Sequence, residues 1–130
     1  MQPRLPALGP AGIVVRALGA ALLGVGLAAV AEFVFFVGHA AWLNLVVWAV
    51  IGIALGALSS RWSTAIWVDA VLGFAIVFGY SVMGYQASAP LPTVLAPFAL
   101  IALAGAAGMA AAGAAGFAVK RLFARRNRSV

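Results

Sequence analysis

The stretch Ala17–Val37 is apolar throughout except at Glu32. As a helix rising about 1.5 Å per residue it is long enough to cross a hydrocarbon core about 30 Å thick. Three more apolar stretches follow, separated only by short turns. A soluble domain carries roughly a quarter charged residues. Here 8% are charged and 66% are hydrophobic, so the bulk of the 130 residues cannot face water. The sequence therefore predicts an all-α transmembrane protein, a four-helix bundle built from two antiparallel hairpins, with no room for a soluble domain.

The predicted spans are 14–38, 42–58, 64–84 and 93–119. They are preceded by an irregular lead-in over 1–12, where Pro3, Pro6 and Pro10 oppose a helix. A basic tail over 120–130 follows the last span. The link Gly38–Ala41 is short and uncharged, which predicts a tight hairpin between the first two helices. The link 85–92 is also uncharged and is stiffened by Pro90 and Pro92, and Pro97 adds a mild kink to the last helix. A cleaved signal peptide is the competing reading of the start. Arg4 and Arg16 would form its basic end, Leu18–Ala28 its apolar core, and Ala29-Val30-Ala31 the cleavage site. Against it, Phe33-Val34-Phe35-Phe36-Val37 continues the apolar run without a break, so cleavage would leave a chain that starts inside the membrane.

The net charge of +6 suggests nucleic acid until the bases are placed. All eight (Arg4, Arg16, Arg61, Lys120, Arg121, Arg125, Arg126 and Arg128) lie in the N-terminal segment, the middle turn or the tail. Lys and Arg near span ends are retained in the cytoplasm. Both termini and the turn at Arg61 are therefore expected inside, in what reads as the cytoplasmic membrane of a prokaryote. The five bases of Lys120–Arg128 form a juxtamembrane cluster suited to anionic lipid headgroups. No folded domain or aromatic surface accompanies them, so a nucleic-acid partner is not expected.

Small residues recur at the spacing that lets helices approach closely in lipid. The first helix has Ala20, Gly24 and Ala28; the second has Gly52 and Gly56; the fourth has Ala104, Gly108, Ala112 and Gly116. The segment Gly105–Gly116 is small almost all round, which predicts a central place for the fourth helix.

Glu32 and Asp69 are the only acids, and both fall inside spans. A charge in the hydrocarbon costs several kcal/mol and marks a candidate functional site. Glu32 lies about 24 Å of helix beyond Arg16, and Asp69 only about 7–10 Å inside the cytoplasmic boundary. That puts the two acids about 15 Å apart in depth, too far to share a proton or a metal. Glu32 is expected to join Asn44 and Tyr80, with the loop residue His39 as a further candidate, in an outer polar cluster, a candidate ion or proton station. For Asp69 the expectation is an ion pair with Arg16 or Lys120, or else a cytoplasmic ion site. With zero cysteines and one histidine, neither a disulfide framework nor a zinc centre is expected. No cofactor motif and no nucleophile–base pair is present, so the chain does not read as an enzyme.

Ala31-Glu32 in the first span and Ala65-Ile66-Trp67 in the third loosely resemble small multidrug resistance transporters. The resemblance covers a handful of residues. Those proteins assemble as antiparallel pairs with little charge bias and hold their acid near mid-membrane. This chain has all its bases on one side and its first acid further out, and no family is assigned. The functional expectation is a small accessory or packing membrane protein acting through helix–helix contacts, as a homo-oligomer or within a larger membrane complex. The alternative is a small proton- or cation-coupled transporter or channel using Glu32 and Asp69.

Overall fold

The computed structural model describes residues 9–34 and 42–128, with side chains for all of these except 31–34. The described residues form four helices and no strand: α1 (Pro10–Val34), α2 (Trp42–Leu58), α3 (Trp62–Met83) and α4 (Leu91–Arg126). Three of them, α1, α3 and α4, are long and apolar enough to cross a membrane, and α2 is a shorter apolar helix.

Helix boundaries follow local chemistry. The first helix begins at Pro10, earlier than the predicted start, because proline suits a first helical turn, where its missing N–H needs no partner. Pro90 and Pro92 place the start of α4 at Leu91 for the same reason. The basic tail continues α4 as helix through Arg126: Lys120–Arg126 contains no Gly or Pro and consists of good helix formers. At 36 residues, α4 is about 54 Å long and extends well past its neighbours. Pro97 lies within it.

The helices pack in the order α1, α3, α4, α2. The central pair is α3 and α4, with α1 against α3, α2 against α4, and only a slight contact between α2 and α3. Among the described residues α1 touches neither α2 nor α4. The hairpin expected between the first two helices is therefore not a packed pair. Its link, 35–41, lies outside the described residues, as do the predicted end of the first span, His39 and the first eight residues.

Contacts set the register. Along α3 and α4 the pairs run in opposite order: Trp62 with Phe117, Asp69 with Gly113, Gly73 with Gly105 and Met109, and Tyr85 with Phe98. Along α1 and α3 they run in the same order, Gly24 meeting Leu72 and Ala75, and Ala28 meeting Gly79. Along α2 and α4 they again run together, Gly52 meeting Ala112 and Gly56 meeting Gly113. The core runs along the seams that α3 makes with α1 and with α4. Ala20, Leu72, Ile76 and Met109 are buried, with Leu27, Trp48, Ile51 and Leu55 packed around them.

Glycine controls the close approaches. A methyl group on Gly56 would overlap the Gly113 carbonyl, and one on Gly116 would overlap the carbonyl of Ile53. Backbone meets backbone at both points, which is how small residues work between apolar helices. Of the residues expected at helix seams, Ala20, Gly24, Ala28, Gly52, Gly56, Ala112 and Gly116 lie at contacts between helices. Gly108 does not: a methyl group there would meet nothing within 4 Å. The stripe of α4 that faces α3 is Ala102, Gly105, Met109 and Gly113, one residue out of phase with Ala104, Gly108 and Ala112. Ala112 and Gly116 of the expected stripe meet α2 instead, because this part of α4 is small on nearly every face and packs on two sides.

Candidate functional site

Asp69 is the one charged side chain buried among the described residues, at 1% exposure. It lies two turns into α3, on the face that carries Ala65, Leu72 and Ile76, all of them buried. Its carboxylate points at α4, where Gly113 makes room for it; a methyl group on Gly113 would overlap Oδ2 and come within 2.9 Å of the Ala65 carbonyl oxygen. Among the described residues neither carboxylate oxygen has a hydrogen-bond partner. A bare charge in such a place costs several kcal/mol. The site is an acid sealed between two helices by a glycine.

The cations expected to answer it are elsewhere. Lys120 donates from Nζ to the Ser59 carbonyl oxygen at 3.0 Å, closing the turn between α2 and α3. That carbonyl lies just past the C-terminus of α2, where the helix dipole favours a cation and draws the Lys head away from Asp69. Arg16 lines a groove between α1 and α3 on the far side of α3 from α4. Among the described residues no ion pair with Asp69 forms.

The end of α4 beyond Lys120 carries further bases. The Arg121 guanidinium sits 4.9 Å above the Phe117 ring. Phe117 in turn meets Trp62 edge to face, with ring centres 5.6 Å apart. These contacts bind the start of α3 to the end of α4, and α4 carries Arg125 and Arg126 onward from there. Arg128 follows just beyond the helix end.

Of the expected outer cluster only Asn44 and Tyr80 have described side chains, and they stand on different helices. Ala28 packs on Gly79, so Glu32, one turn further along α1, falls level with Met83 rather than Tyr80. The Glu32 side chain lies outside the described residues. Asn44 is on α2, which α1 does not touch. Tyr80 is half exposed, and the neighbouring Ser81 hydroxyl donates to the Val77 carbonyl at 2.8 Å within its own helix. Measured along α3, the levels of Asp69 and Glu32 differ by about 21 Å. Among the described residues no three His, Cys, Asp or Glu converge as a metal site.

Two features of the site were not anticipated. Gly113 and Gly105 line the α3–α4 seam, and their only sequence signal is the small-residue run Gly105–Gly116. The groove beside Arg16 has no sequence signal, because its walls come from helices 46 residues apart. Comparison with known families, curated proteins and solved structures finds no match to this chain.

Proposed function

We propose that the chain is a small polytopic membrane protein that acts by presenting helix faces to another membrane subunit. The reading places α1, α2, α3 and α4 across the bilayer with both termini and the Arg61 turn in the cytoplasm. Helix lengths and the single-sided bases support it. At 17 residues, α2 is at the short end of what spans a core of about 30 Å.

One observation carries the accessory role. The outer helix α1 is held by α3 alone, and its opposite face bears Val15, Gly19, Leu22 and Gly26, with Val15 and Leu22 exposed and nothing within 4 Å of either glycine. Elsewhere in the described helices Gly24, Gly52, Gly56, Gly73, Gly79, Gly105, Gly113 and Gly116 sit against another helix, and Gly108 does not. Gly19 and Gly26 offer the same close approach to a helix from outside the chain. Gentle purification from native membranes followed by intact-mass analysis tests the reading. A stoichiometric foreign subunit supports it, and a clean homo-oligomer contradicts it.

The second reading, a proton- or cation-coupled transporter or channel, draws on the buried carboxylate of Asp69. It is the weaker one, because among the described residues Asp69 has no hydrogen-bond partner to which a proton could pass, and the level of Glu32 is about 21 Å further along. Liposome flux abolished by Glu32→Gln or Asp69→Asn, with folding intact, would favour it.

A further inference from the structure

Between α1 and α3 lies a groove of about 340 Å³, partly open to the outside. Its mouth is formed by Ile13 and Arg16 of α1 and by Ser63 and Thr64 of the first turn of α3. Below the mouth the walls become apolar: Ala17 on one side, Val68 and Val71 on the other, with the exposed ring of Trp67 at the rim. From Ser63 to Val71 the groove runs about 12 Å along α3.

This is the shape of an amphipathic ligand. A single guanidinium with two hydroxyls at one end suits a phosphate, for which Arg offers a bidentate fork. Arg16 and both hydroxyls lack a hydrogen-bond or ion-pair partner among the described residues. The first turn of α3 also has no side-chain cap, so no side chain at the cap position satisfies its leading N–H groups. The apolar depth suits a hydrocarbon chain, and Trp67 has the position that tryptophan takes at a membrane interface. Charge complementarity at the mouth and an apolar trough below it argue for one occupant.

We propose that the α1–α3 groove binds one anionic phospholipid. Its phosphate rests on Arg16, Ser63 and Thr64, and one acyl chain lies along Val68 and Val71. The lipid bridges α1 to α3 at the cytoplasmic end of the one seam that holds α1. This site is separate from the tail bases Lys120–Arg128, and it rests on the membrane reading above but not on the accessory role.

Full-length protein is tested in nanodiscs and by native mass spectrometry, with phosphatidylglycerol as the probe and phosphatidylcholine as the neutral comparison. One phosphatidylglycerol is expected to remain bound at collision energies that strip phosphatidylcholine. Arg16→Gln should weaken its retention at least about tenfold and Thr64→Val less, whereas the triple change of Arg125, Arg126 and Arg128 to Gln should leave it in place. Circular dichroism checks that each variant is folded; because Arg16 is exposed, its loss leaves the core intact. Equal retention of the two lipids, retention unaffected by Arg16→Gln, or loss only in the tail variant would each overturn the site. Displacement by glycerol phosphate alone would do so too, because the trough would then contribute nothing. A chain that fails to float with vesicles would overturn the membrane reading itself.

Discussion

Gly56 is the position where the packing order can be tested most sharply. A Cβ built there lies 2.6 Å from both Cα and the carbonyl carbon of Gly113 and overlaps the carbonyl oxygen. Carbon atoms rest comfortably at about 3.5–4.0 Å, so Gly56→Ala forces α2 about 1 Å away from α4. The obstacle is backbone, which cannot rotate aside. A gap of 0.5–1 Å forfeits roughly a quarter to a half of each dispersion contact. The rest of the α2 seam, Gly52 on Ala112 and Ile53 on Gly116, lies on the same face and loosens with it. Overpacking of this kind costs about 1–3 kcal/mol. Alanine also gains about 1 kcal/mol over glycine in helix propensity. Gly108→Ala takes the same gain without the overlap, because nothing lies within 4 Å of it. The difference between the two variants therefore isolates the clash. Reversible unfolding in bicelles should show Gly56→Ala less stable than Gly108→Ala by about 1–3 kcal/mol. Equal stabilities within about 0.5 kcal/mol would refute the α2–α4 packing.

Two other predictions use the same structure. Asp69→Ala removes a carboxylate with no partner, so stability should stay level or rise by up to about 2 kcal/mol; a loss of about 3–5 kcal/mol in the same assay would instead mean that a cation pairs with Asp69. With zero native cysteines, single substitutions report topology cleanly: Ser60→Cys should react with an impermeant maleimide only in inverted vesicles and Ala87→Cys only in right-side-out ones, and the reverse pattern would invert the proposed orientation.

Much of the architecture is legible in the sequence, and the part that is not has a physical reason. Hydrophobic length and turn residues mark the four helices, and Trp42 and Leu58 bound α2 as expected. Which helix packs on which is not legible, because residues that face lipid and residues that face another helix are both apolar. The short link over 38–41 favours pairing the first two helices, yet Gly24 and Ala28 fit against Ala75 and Gly79 of α3. The phase of α4 is hidden because Gly105–Gly116 is small all round; only Asp69, which requires the vacancy at Gly113, selects it. Asp69 itself was legible as an acid within an apolar helix, but its lack of an ion-pair partner among the described residues was not. Lys120 had the reach and the charge, and the free carbonyl of Ser59 took it instead.

The central claim is that the open face of α1 is completed by another membrane subunit. The direct measurement is the intact mass of the assembly gently extracted from native membranes, compared between the wild type and a Gly19→Leu, Gly26→Leu double variant. The account predicts a stoichiometric foreign subunit in the wild type and its loss in the variant, with the chain still folded, since neither glycine touches another helix. A homo-oligomer without a foreign subunit in the wild type, or a foreign subunit retained in full by the variant, would contradict it.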